Sequence, residues 1–255
     1  MNTISKRIHP TAIVSPSAKL GSDVEIGPYT VVHDNVEIGP GTVVGGHCEI
    51  GVPAFNPENA GILKIGMNSF IRSHSVIYEN SEIGDQFVTG HRVTVREMSK
   101  IGKNFQLGTL GDIQGHCEIG DYVRFHSNVH IGHHSKVGNF VWIFPYVVLT
   151  NDPHPPSEVQ QGVTVGDFAA IATMSVVLPG VTIGSGALVG AHSSVTRNVE
   201  PDMVVVGVPA KPVCRTEDIK RKDAPDLAAY PWRRHFHRGY PQQDVDTWIQ
   251  EFPEK

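Results

Sequence analysis

The chain has 255 residues and a formal net charge of −5, so it lacks the basic footprint of a general nucleic-acid binder. Its 26 glycines and 18 prolines exceed average usage of about 7 % and 5 % and argue against a helical bundle, whose interior both residues break. With 40 % apolar residues the chain has enough core material to exclude a disordered class, and no stretch approaches the 18 consecutive apolar residues of a membrane span. The start, MNTISKRIHPTAIV, carries no apolar core of signal-peptide length. Cys48, Cys117 and Cys214 have no metal-type CxxC spacing and read as reduced thiols of a cytoplasmic protein.

A six-residue period then organises most of the chain. From Ile8 the positions 14, 20, 26, 32, 38, 44 and 50 are all apolar; the register slips, resumes at Ile65 and runs to Leu149, slips again and runs from Val165 to Val195. Of these 29 positions 28 are apolar, Thr89 being the exception. Neither a helix nor a long half-buried strand has this period. Short strands separated by corners do, with the apolar residue inward and the Gly that often follows (Gly27, Gly39, Gly66, Gly84) relieving the backbone at the corner. Ile-Gly pairs recur mostly 18 residues apart, so three six-residue sides make one coil. Stacked at about 4.8 Å, some ten coils give a solenoid about 48 Å long. Thr89 calls for a backbone partner for its hydroxyl.

In chain order, residues 8–50 form the first coils and VPAFNPENAGILK is an excursion, either inert or functional. The ruler then runs unbroken to Leu149, where TNDPHPPSEVQQG makes a second excursion; solenoid loops of this kind are common binding elements. The last coils end at Gly207-Val208-Pro209-Ala210-Lys211. This divides the chain into a β-solenoid domain, 1–211, and a C-terminal tail, 212–255, with short helices expected in DAPDLAAY and DVDTWIQEF.

The repeat [LIV]-G-x-x-[small]-x resembles that of the hexapeptide-repeat acyltransferases over about residues 8–210, and GVPAK resembles the segment with which many of them close their last coil. The resemblance implies a left-handed parallel β-helix and a homotrimer. Handedness comes from the resemblance alone, since crossovers in open sheets favour the right hand. Val129-His130-Ile131-Gly132-His133-His134-Ser135-Lys136-Val137-Gly138 is similar to the [AE]-H-D-C-x-[IV]-G segment of sugar acyltransferases of this fold. It places the general base at His133, whereas His134 stands where the family has the orienting Asp. Thr150-Asn151-Asp152-Pro153-His154-Pro155 loosely resembles the T-x-T-H-P loop of hexapeptide O-acetyltransferases, which implies a second catalytic candidate, His154; the spacing leaves the order of the two histidines open.

Substrate-binding candidates are His134, Asn151 and Asp152, together with His91, Arg96 and Glu97 in the segment two coils earlier. Arginine suits bidentate phosphate contact, although a plain Arg96–Glu97 ion pair is the competing reading. Lys211, Arg233 and Arg234 are candidates for the phosphates of the acyl donor, with trimer packing of the tail as the alternative. The expected reaction is transfer of an acetyl or short acyl group from acetyl-CoA to the amino group of a nucleotide-linked sugar, of the kind built into surface polysaccharides. A sugar O-acetyltransferase or an acyl-ACP-dependent UDP-sugar acyltransferase is the alternative, and the start IHPTAIV with a later VEIG also resembles the acyl-ACP enzymes. No metal is expected: γ-class carbonic anhydrases share the fold but use a G-H-x-x-x-x-H pair, whereas His126, His130, His133 and His134 lie at intervals of four, three and one. A non-catalytic binding module is the remaining class.

Overall fold

The computed structural model describes residues 7–230, 240 and 242–251. Among these residues, strands of mostly two residues assemble into three sheets of 12, 10 and 9 strands, all parallel except the last strand of the first, and the chain winds from first to second to third sheet in each coil as a left-handed parallel β-helix. Inward residues stack in register from coil to coil: Thr89, Leu107, Phe125 and Ile143 on the first sheet, Val95, Ile113, Ile131 and Leu149 on the second, Ile101, Ile119, Val137 and Val165 on the third. This ladder is the core, and no side of a coil buries it without the neighbouring coils. Thr89, 1 % exposed, accepts a hydrogen bond from the Arg72 N–H at 2.8 Å, which accounts for a hydroxyl among the Ile and Val.

The corners work differently from the expectation. The positive φ belongs to the third residue after the inward one, as at Tyr29, His74, His116 and His134, and Asn, His and aromatic residues occupy it. The Gly that follows the inward residue is there for space: a Cβ on Gly27 would lie 2.6 Å from the Gly46 nitrogen, and one on Gly84 2.7 Å from the Gly102 carbonyl carbon. The coils approach too closely there for any side chain. The small residue next along, such as Thr30 or Ser135, turns its hydroxyl onto a corner carbonyl, at 2.6 Å to Gly45 and 2.8 Å to Gly132.

Outward faces differ from sheet to sheet. The third sheet carries an alternating column, Lys19, Glu37, Lys64, Glu82, Lys100, Glu118, Lys136, with ion pairs such as Lys136–Glu118 at 3.0 Å. The first sheet is partly covered by the C-terminal segment. Met203–Gly207 continues it in parallel, then Ala210–Arg215 turns back antiparallel and closes the stack. Of the two tail helices expected, Gln242–Glu251 is helical, but residues 223–230 are not. Pro225 has no N–H to give a helix, and the segment instead bridges Ala228 to Lys220 and bonds the Ala229 N–H to the Ile219 carbonyl at 2.7 Å.

Candidate active site at the edge between the second and third sheets

Both excursions leave the same edge, because Ile50 and Leu149 are inward residues of the second sheet and Ile65 and Val165 of the third. The phase of the ruler at the two slips carries this information. The first loop is tied down by Glu79, whose carboxylate accepts from the Ala54 N–H at 2.9 Å. The second returns against the histidine corner: a Cβ on Gly162 would sit 2.1 Å from the His134 carbonyl carbon. Its root is close as well, since a Cβ on Gly132 would meet Asn151 Oδ1 at 2.9 Å.

Between the loops this edge collects its side chains by the 18-residue coil spacing. Glu79, Glu97, Gly115 and His133 form one column, and His116 and His134 the next. The rings of His116, His133 and His134 lie 5.1–6.0 Å apart by centroid. Arg96 holds Glu97 through two hydrogen bonds, 2.9 and 3.2 Å. Glu97 is 3 % exposed, so this pair is half interior rather than a solvated surface pair. Gly115, at φ +101°, has its Cα 18 residues above Glu97, whose carbonyl oxygen would lie 2.7 Å from any Cβ; only Gly leaves the corner below His133 open.

Burial first, then the charge of Arg96 and the neighbouring imidazoles, hold His133 below the ordinary histidine pKa, so the ring is neutral at neutral pH. Among the described residues its Nδ1 is buried without a hydrogen-bond partner; the Gly115 carbonyl acts weakly in the other direction. Among the described residues no carboxylate takes the place of the Asp that His134 replaces. His116 is shifted down as well, by burial and then by His134.

The other sequence candidates divide. Asp152 shapes its own loop, accepting from the His154 N–H at 3.0 Å, from the Ser157 N–H at 3.1 Å and from the Ser157 hydroxyl at 2.7 Å. His154 is exposed, and among the described residues no ring contact or hydrogen bond joins it to the three histidines. His91 does not belong to this edge at all: it sits at the corner between first and second sheets, bonded to the Ser73 hydroxyl at 2.9 Å, because position 91 follows an inward residue of the first sheet. Lys211 lies on the closing antiparallel strand, opposite Val206, bordering a recess of about 400 Å³ with Arg197 and Asn198. Arg233 and Arg234 lie outside the described residues. Among the described residues no three His, Cys, Asp or Glu side chains are placed to hold a metal ion.

Sequence reasoning passed over two features. On the outer surface of the second sheet, Asp112 Oδ2 accepts from His130 Nδ1 at 2.9 Å and from Gln114 Nε2 at 2.6 Å; the 18-residue spacing of 112 and 130 was the available signal. On the first sheet, Arg72, Gln106, Arg124, His126 and Trp142 line a cavity of about 430 Å³. A second, of about 480 Å³, continues past Trp142 and Phe144 to Lys220, Arg221, Lys222 and Tyr230 of the tail.

A stacked-coil prism with two loops framing a histidine corner defines a hexapeptide-repeat transferase, and the bacterial transferase hexapeptide (six repeats) family matches residues 17–51. The acyl-[acyl-carrier-protein]–UDP-N-acetylglucosamine O-acyltransferase of Burkholderia orbicola (strain MC0-3) is 32 % identical over 253 residues, covering 97 % of this chain and 90 % of the relative; that of Pseudomonas entomophila (strain L48) is 30 % identical over 268 residues, covering 97 % and 92 %. The structure of Arabidopsis UDP-N-acetylglucosamine acyltransferase superposes with a TM-score of 0.63 at 21 % identity, covering 96 % of this chain and 83 % of that one. The chain belongs to the family of acyl-[acyl-carrier-protein]–UDP-N-acetylglucosamine O-acyltransferases. These relatives shift the expectation from acetyl-CoA and an amine toward the alternative, a carrier-protein donor and a hydroxyl.

Proposed function

We propose that this protein transfers an acyl group from an acyl-carrier-protein thioester to a hydroxyl of a UDP-linked N-acetylated amino sugar, at the edge where His133 lies. What carries the reading is His133 itself: a neutral, half-buried imidazole at the motif position, framed by both loops, in a chain related over nearly its whole length to enzymes named for this reaction. A hydroxyl needs a base to attack a thioester, and an imidazole kept neutral at pH 7 can take its proton. Arg96, with Glu97 fixing its guanidinium, binds acceptor phosphate or hydroxyls; His134, Asn151 and Asp152 shape the acceptor pocket, and His154 is the second catalytic candidate. Lys211, Arg233 and Arg234 are assigned to the donor's phosphates. The active unit is a homotrimer, supported by the exposed apolar edge Tyr29, Leu110, Tyr146 and Met174, 48–61 % exposed.

The unpartnered Nδ1 of His133 favours one second reading, acetyl-CoA-dependent N-acylation. A neutral amine already offers its lone pair and depends less on an oriented base. Thiol release is measured with acyl-carrier-protein thioesters and with acetyl-CoA, against UDP-N-acetylglucosamine and UDP-linked amino sugars. Release from the carrier-protein donor with the hydroxyl acceptor is the expected result; release only from acetyl-CoA with an amino sugar replaces it by the second reading.

A further inference from the structure

The Asp112–His130 pair has no part in the roles assigned so far, and its bonding differs from that of His133. Asp112 Oδ2 faces His130 Nδ1 at 2.9 Å. An ionised carboxylate accepts only, so Nδ1 carries a hydrogen and Nε2 is the ring nitrogen left for a ligand. Gln114 Nε2 donates to the same oxygen at 2.6 Å and fixes the carboxylate in turn. Burial works against the charge of Asp112, and the bonds from His130 and Gln114, with the nearby Arg96, outweigh it and hold its pKa down. His133 has different surroundings: a guanidinium, two imidazoles and, among the described residues, no carboxylate partner.

The two rings are three residues apart in sequence, so their Cα atoms are at most about 10 Å apart. Arg96 acts electrostatically on both Asp112 and His133, which puts the pair and the corner in one polar patch. The His130 side chain is 39 % exposed, open to a ligand. An imidazole held on a carboxylate, close to one without such a partner among the described residues, gives a site two groups that can move protons.

We propose that His130, positioned by Asp112, is the general acid of the acyl transfer, delivering a proton from Nε2 to the departing sulfur. This rests on the acyl-transfer reading above. The acceptor oxygen bonds to the thioester carbonyl carbon while His133 takes its proton. When the C–S bond breaks, the electron pair goes to sulfur, which takes the Nε2 proton of His130. His133 is left protonated and His130 neutral, and solvent returns both to their starting states.

The test compares two donors of the same acyl chain, the acyl-carrier-protein thioester and the 4-nitrothiophenyl thioester, with UDP-N-acetylglucosamine as acceptor. The aryl thiolate leaves without a proton. H130Q is expected to lose about 10²-fold in kcat on the carrier-protein donor and to stay within a few-fold of the unmodified protein on the aryl donor, which also shows that the variant folds. D112N follows the same pattern more weakly, and H133A is impaired on both donors. Equal losses for H130Q on the two donors overturn the proposal while leaving acyl transfer standing. No thiol release by the unmodified protein from either donor overturns the acyl-transfer reading and this role with it.

Discussion

Two outward surfaces built from the same repeat have opposite character. At the edge between second and third sheets, the imidazoles are half enclosed or exposed, and His133 Nδ1 has no partner among the described residues. On and beside the first sheet, in the same coil and the next, the tail seals a dense, mostly aromatic cluster of Tyr122, Phe140, Trp142, Tyr240 and Val245. There Trp142 donates to the Tyr240 hydroxyl and Tyr240 to the Tyr122 carbonyl, both at 2.8 Å. The Arg124 guanidinium lies 4.0 Å over the Tyr240 ring and donates to Asn104 Oδ1 at 2.7 Å. Burial pulls Arg124 down to about 10 and pushes Tyr240 up to about 12, so neither titrates near neutrality. The bonded indole and phenol of the cluster hold structure, and an imidazole in a half-open corner is available to a ligand.

If that contrast is right, substitutions at the two surfaces separate activity from stability. His133→Ala is expected to lower kcat/KM for a hydroxyl acceptor by about 10²–10⁴-fold with the melting temperature nearly unchanged; unchanged thiol release would remove His133 from the chemistry. Tyr240→Phe leaves the indole N–H and a carbonyl without their partner and is expected to cost about 1–3 kcal/mol, read by urea denaturation, with little effect on kcat.

A finer test uses pH. Burial, and after it Arg96, disfavours the charged form of His133, so the acid limb of the kcat/KM profile lies below an ordinary histidine pKa. Arg96→Met removes a cation and frees Glu97, and both changes favour the protonated ring. The limb therefore moves to higher pH; a shift to lower pH would show that another group limits the rate. The smallest effect is expected on the third sheet. Lys136→Ala breaks an exposed pair, side chains 60 % and 61 % accessible, and should change stability by less than about 1 kcal/mol, an effect that salt abolishes.

The fold was legible because its signal is local and repeated: each Ile or Val at the sixth position has the same partner one coil away, so Ile113 over Val95 and Ile131 over Ile113 follow from one rule. The same rule contained more of the site than was read from it. Stepping by 18 from His133 reaches Gly115 and Glu97, and from His130 it reaches Asp112. Residue type misled where sequence neighbours point to different sides, as with His91, drawn in by adjacency to Arg96 and placed by the winding on another edge. The left-handed corners were hidden because Asn, His and Tyr fill them, whereas Gly, the residue that usually marks such backbone, serves coil spacing instead.

What the amino-acid order determined alone was everything periodic: the prism, its inward ladder, the two departures from it and the motif register of His133. The tertiary structure alone decided how the tail lies, since Trp142 and Tyr240 are 98 residues apart and Tyr122 and Tyr240 118. It also decided which imidazole has a carboxylate partner. A repeat announces its contacts because each is made many times over at one spacing. A contact made once, between distant segments, leaves no period to find, and depends on packing that exists only after the coils have stacked.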